Sequence, residues 1–272
     1  MLKNWNWESL VTKAWHMLVE RTRRYSDNFP RKLKAMQDIY LRKNANLYTK
    51  SEEKELRYYL DVVLYKFLLV DLSLEQLWAL SMAKRSELLQ ALENSLDRLD
   101  CSDDEQLLMS FALECALFES SAFLDVFMLY TCLLLKASPI VYMTKSKFYR
   151  SLKGIKAAPF AEKAAGVKTY FDTKVFGDPK QPAGFADPNW GDLVISLRDK
   201  IAHRDRLRPS FDGDERLLDK VLLDWPTLRG LTYERFIQSV QSGMWLLAGQ
   251  DLAPVLYDLE WKPGPYKPHL WQ

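Results

Sequence analysis

Three capping-box sequences constrain this chain more than any other feature: Thr49-Lys50-Ser51-Glu52, Ser73-Leu74-Glu75-Gln76 and Ser102-Asp103-Asp104-Glu105. In such a box the Ser or Thr hydroxyl accepts a hydrogen bond from the backbone N–H three residues on. The Glu or Gln side chain returns to the N–H of the cap, so two donors orphaned at a helix start are satisfied together. Each box stands ahead of apolar residues at helical spacing. The three therefore predict helix starts: one helix running to Val70, a second over residues 74–99, and a third from residue 102 to about Lys136.

The same patterning recurs elsewhere. Leu10, Val11, Ala14, Trp15, Leu18 and Val19 mark a helix over residues 6–25, and another covers 31–43 after Pro30. Only 10 of 272 residues are glycine, which leaves few natural breaks. Beyond Pro139 the texture is mixed, with short helices predicted over 145–153 and 166–176. Residues 177–188 hold prolines and glycines and read as a loop. Asp187 as cap and Pro188 in the first turn then start a helix with Leu193, Val194, Leu197 and Ile201 on one face, ending near His203. Residues 221–225 and 228–233 flank Pro226-Thr227 and fit either a small hairpin or a continued helix. Thr232 would cap a last long helix from Tyr233 to about Ala248, with an extension past Pro254. The predicted fold class is all-α, a multi-helix bundle with additional N-terminal helices and at most one small β-hairpin. Its expected divisions are an N-terminal helical region (1–100), a second helical domain (101–250) and a Pro-rich tail (251–272), the two helical regions being able to form one compact unit.

Composition narrows the function classes. Lys and Arg number 38 against 36 Asp and Glu, a net charge of +2, too balanced for wholesale coating of nucleic acid. A local basic cluster does stand out, in Arg198, Lys200, Arg204, Arg206 and Arg208, while Arg21, Arg23 and Arg24 read as a solvated helix face. Cys101, Cys115 and Cys132 are odd in number and widely spaced, as in a reducing compartment without disulfides. His16, His203 and His269 lie far apart and none has a ligand-spaced partner, so no metal and no cofactor is expected. The strongly apolar stretch 107–135 is interrupted by Glu114, Glu119 and Asp125. Carboxylates at its centre favour a helix buried in protein over a membrane span. Met1–Glu8 lacks the apolar core of a signal peptide, so a cytoplasmic location with no membrane partner is expected.

The segment Arg198-Asp199-Lys200-Ile201-Ala202-His203 carries the chemistry. Arginine is a fixed cation suited to phosphate, and histidine exchanges a proton near neutral pH. On one straight helix the two lie about 140° apart and about 7.5 Å along the axis, so they diverge. They can converge on one phosphate if the helix end unwinds, or if two copies of the helix face each other across a two-fold axis. Asp199 and His203, four residues apart, share a face, and the carboxylate could hold the imidazole tautomer.

This arrangement resembles the Arg-x(4–6)-His motif of the HEPN superfamily (higher eukaryotes and prokaryotes nucleotide-binding), including its toxin-type and phage-defence members. The all-helical setting and the polar residues Glu119, Ser120, Ser121 and Asp125 on a long upstream helix support the likeness, over roughly residues 103–249. The resemblance implies a helical bundle that dimerises and a metal-independent endoribonuclease. Arg198 would stabilise the phosphate, and His203 would act as general acid or base while the RNA 2′-hydroxyl attacks the adjacent phosphate. Asp199, Glu119 and Asp125 would support the site, and Lys200, Arg204, Arg206 and Arg208 would hold RNA. The implied partners are RNA, a second copy of the chain and, in toxin-type systems, an inhibitory protein. The alternative is a non-catalytic HEPN-like module that binds nucleotide, RNA or a protein. A third reading is a purely structural helical scaffold.

Overall fold

A computed structural model describes residues 29–94, 98–99, 102–137, 142–178, 189–203, 211–212, 222–223, 233–250 and 252–259. The elements are α1 (Phe29–Lys43), α2 (Lys50–Glu93), β1 (Arg98–Leu99), α3 (Asp103–Leu134), α4 (Lys145–Gly154), α5 (Phe160–Lys174), α6 (Trp190–His203), β2 (Phe211–Asp212), β3 (Leu222–Leu223), α7 (Tyr233–Trp245) and α8 (Leu252–Tyr257). A π-helical turn, Leu246–Gln250, joins α7 to α8. The fold is an all-α, multi-helix one. The predicted helix over 6–25, the Asp187–Pro188 start and the Thr232 cap lie outside the described residues.

The chain divides into two compact units, Met1–Arg57 and Tyr58–Gln272, the division falling inside α2. In the first, α1 and the opening of α2 are joined by Gln37, whose Nε2 donates to the Leu56 carbonyl at 3.0 Å, and by an ion pair between Arg57 and Asp38. Thr49 closes its box as expected: its N–H donates to Glu52 Oε2 at 2.7 Å and its Oγ1 accepts from the Glu52 N–H at 3.3 Å.

The second box behaves differently. Residue 73 starts no helix, because α2 runs unbroken through it to Glu93. Val63, Phe67, Val70, Leu74 and Leu77 keep a spacing of three and four across the supposed boundary, and all are buried. With that stripe continuous and no Gly or Pro to break it, the Ser73 hydroxyl donates back to the Leu69 carbonyl at 2.8 Å inside the helix. α2 also stops short of Leu99, which lies in β1.

The second unit is built on α3. Ser102 completes the full capping box with Glu105. Met109, Ala112, Leu113, Ala116, Leu117, Phe123, Leu124, Phe127 and Met128 are all buried. Among the described residues this is the one helix long and apolar enough to cross a membrane by length and composition, and half of its most apolar window is packed inside the protein. α2 lies antiparallel to it, with the Phe67 and Phe123 rings edge to face at 5.9 Å. At the far end Tyr130 and Tyr257 of α8 share a hydrogen bond of 2.5 Å. α3 closes with Lys136 in the left-handed region at φ 57°, where the Ala137 N–H reaches the Cys132 carbonyl.

α5 begins at Phe160, six residues before the expected Gly166, because Phe160, Ala164, Val167 and Phe171 form one buried stripe and the exposed Gly166 merely rides within it. The hairpin expected between 221–225 and 228–233 lies largely outside the described residues, which hold a different ladder. β3 pairs antiparallel with β2 (Phe211 opposite Leu223), and β2 with β1 (Leu99 opposite Phe211). Tyr233 belongs to α7, and residues 228–232 lie outside the described set.

Trp190 opens α6 fully buried, and the α-carbon of Gly243 on α7 leaves room for its indole: a side-chain carbon at 243 would collide with Nε1 and Cδ1. Two outcomes follow. Gly243→Ala should destabilise by about 1–3 kcal/mol, as overpacking against a rigid ring does. Ser102→Ala should cost about 1 kcal/mol and Ser73→Ala close to nothing, since only the first is a cap. Urea denaturation midpoints of the three variants check both, and equal losses for the two serines would overturn the assignment.

Candidate functional site

The candidate site forms where α6 packs on α3. Leu197 and Val194 of α6 are buried in this contact region, which turns the next residue, Arg198, partly outward. Its guanidinium lies between two carboxylates. Asp199 Oδ1 accepts from Nε at 3.0 Å and from Nη2 at 2.7 Å. Asp125 of α3 brings Oδ2 to 4.0 Å from Nη1. The Arg198 side chain is 29% exposed and that of Asp125 37%, so the cluster stands at the surface with its base in the fold.

That position sets the titration of Asp125. Partial burial raises its pKa from 3.8 to about 6; Arg198 opposes the rise and Asp199 adds to it. Asp125 is therefore a carboxyl that exchanges its proton near neutrality beside a permanent cation. Arg198 has five N–H donors, of which Asp199 engages two. The remainder can meet an incoming anion once Asp125 is protonated and ceases to compete.

The other sequence-predicted residues distribute around this pair. α6 is regular through His203, its last residue, so Arg198 and His203 stay on one continuous helix and the unwound-end geometry is not adopted. The side chain of His203, and with it the expected Asp199–His203 pairing, falls outside the described residues, as do Arg204, Arg206 and Arg208. Asp199 holds Arg198. Lys200 is exposed. Glu119 is not brought to this cluster: it accepts from Lys66 of α2 at 2.8 Å, on the seam between α2 and α3. Ser120 is spent on the Ala116 carbonyl at 2.6 Å, whereas the buried Ser121 Oγ has no hydrogen-bond partner among the described residues. Cys115 is half-buried and Cys132 buried, both as free thiols; burial pushes Cys132 up to about 12.

Sequence reasoning missed an ion pair that ties α6 to α4. Lys145 of α4 donates to both oxygens of Asp192, in the first turn of α6, at 2.6 and 2.8 Å. Its ammonium also lies 4.4 Å from the centre of the Phe176 ring. Forty-seven residues separate the pair, and no local pattern announces it. Among the described residues no group of three or more His, Cys, Asp or Glu is placed to hold a metal ion.

No family model matches the chain, and no match was found among curated proteins or solved structures.

The electrostatics give a direct test. Removing the cation in Arg198→Ala should move the Asp125 midpoint above about 6, and Asp199→Asn should move it below, as read by carboxyl-carbon NMR titration. A raised folded-state pKa means that the stability linked to this proton is fully present below the unfolded value of 3.8 and is lost as pH rises through about 6. Asp125→Asn should therefore flatten the stability profile across that window. An unchanged profile would show that Asp125 is not desolvated.

Proposed function

We propose that this chain is a HEPN-like, metal-independent endoribonuclease of the toxin or phage-defence type, acting in the cytoplasm on RNA. The observation that carries the reading is Arg198 on α6, seated against α3 beside Asp125, five residues ahead of His203 on the same regular helix. Arg198 is the only candidate in the motif with a described side chain already anchored at a helix–helix junction and donors left over for an anion.

In this reading Arg198 binds the scissile phosphate and stabilises the charge that grows on it. His203 takes the proton of the 2′-hydroxyl or delivers one to the leaving 5′-oxygen. The 2′-oxygen forms its bond to phosphorus as the P–O5′ bond breaks, leaving a 2′,3′-cyclic phosphate and a 5′-hydroxyl. Because the two positions are about 140° apart around a regular helix, the complete site takes Arg198 and His203 from two copies of α6 facing across a two-fold axis. Asp125 tunes the first role: protonated, it leaves Arg198 free for phosphate, and ionised, it competes.

A second reading has its own observation. Asp199 already occupies two donors of Arg198, which is the arrangement of a structural ion pair. A non-catalytic helical module that binds RNA, nucleotide or protein through the same face follows from it.

Cleavage of a panel of labelled RNAs in EDTA separates the two. The nuclease should form cyclic-phosphate ends, and Arg198→Ala and His203→Ala should each lower the rate by about 100-fold or more. RNA binding without cleavage would establish the second reading. Cleavage indifferent to both substitutions would overturn the assigned chemistry.

A further inference from the structure

α3 holds six carboxylates, Asp103, Asp104, Glu105, Glu114, Glu119 and Asp125, and not one lysine or arginine. Three are answered by neighbours: Glu105 by Lys84, Glu119 by Lys66 at 2.8 Å and Asp125 by Arg198 at 4.0 Å. Among the described residues no ion pair joins Asp103, Asp104 or Glu114. These three flank an unusual surface. Leu107, Phe111 and Phe118 are 62%, 60% and 42% exposed, while the opposite side of the helix is core. At 100° per residue the three lie within about 40° of one another and extend over about 16 Å of axis. Glu114 falls about 20° outside that arc, and Asp103 and Asp104 border its start at about 40° and 60° to either side. Leu107, Phe111, Glu114 and Phe118 thus follow the four-three-four spacing of a helix–helix seam, with a carboxylate at one seam position.

A large apolar stripe left in water marks an interaction site, and its charge says which kind. A second copy laid on the same face would carry two unanswered Glu114 carboxylates into one apolar seam. Anionic lipid headgroups would be repelled by the acidic border. A helix with leucine-type anchors and a cationic flank satisfies both halves of the surface. We propose that the Leu107–Phe118 face of α3 docks a basic amphipathic helix of a protein partner, its apolar side covering Leu107, Phe111 and Phe118 and its lysines or arginines answering Glu114, Asp103 and Asp104. Asp125 lies on the same line of the helix about 10 Å beyond Phe118, so a partner helix that runs on past Phe118 reaches the Asp125–Arg198 junction. The surface is independent of the ribonuclease reading and stands without it.

The probe is a fluorescein-labelled synthetic helix of about 18 residues, with leucines at seam spacing and lysines on both flanks, titrated with the full chain and followed by anisotropy. Its counterpart carries glutamates in place of the lysines. The lysine peptide should bind, and the glutamate peptide should bind about tenfold more weakly or worse. Phe111→Ala and Glu114→Lys should each weaken the lysine peptide about tenfold, with unchanged circular dichroism because both side chains reach solvent. Tyr142→Ala, an equally exposed aromatic residue outside α3, should leave binding as in the wild type. Equal binding of both peptides, or of wild type and Phe111→Ala, would overturn the proposal. So would a wild-type dimer by light scattering that Phe111→Ala dissolves, which would make a second copy the occupant. Phosphatidylserine-vesicle binding lost in Phe111→Ala would overturn it in favour of a membrane.

Discussion

The second unit depends on one awkward requirement: α3 must be buried on most of its circumference although its only charges are negative. A carboxylate left unanswered in such a position is costly, and α3 has no basic residue of its own to help. The neighbours therefore supply the cations. Lys66 and Lys84 reach from α2 and Arg198 from α6, so charge and apolar packing select the same partners. Lys84 is itself buried, and its pKa is raised although desolvation works against it, because Glu105 and Glu87 hold the ammonium charged. Glu105 does two things at once, closing the capping box of α3 and pinning α2 to its first turn.

Among the three answered carboxylates, compensation is least complete at the candidate site. Asp125 sits farther from its cation than Glu119 does, at 4.0 against 2.8 Å, and that cation is shared with Asp199. Incomplete neutralisation together with partial burial is what lifts Asp125 toward neutrality. A buried ion pair with perfect geometry would have been structural and inert. One left loose beside surplus guanidinium donors can respond to a phosphate and to pH, which is why it serves as the candidate centre.

Local patterns read well wherever the answer was local. The Thr49 and Ser102 boxes, the helix after Pro30 and the short helix at Lys145 all depend on residues within one turn of one another. Ser73 shows the limit. Its box is as good on paper as the others, but whether a serine caps or back-bonds is decided by whether the chain before it leaves the helix, and the Val63–Leu77 stripe kept it in. The strands show the same thing: a two-residue ladder has no local signature, and β2 found its second partner more than a hundred residues upstream. Asp199 was legible as a helix-face neighbour of His203, whereas its hold on the adjacent guanidinium had no periodic signature.

By itself the sequence determined the all-α class, the helix starts at Thr49, Ser102 and Lys145 and the placing of the Arg198–His203 motif at the end of an amphipathic helix, because periodicity and capping are properties of a single segment. The tertiary structure decided which carboxylate meets which cation, and hence that Asp125 shares Arg198 while Glu119 is spent on Lys66. It also decided which face of α3 stays uncovered, leaving Leu107, Phe111 and Phe118 in water. These outcomes depend on how helices far apart in sequence are brought side by side. No periodicity within α3 distinguishes the apolar face that will be packed from the one that will not.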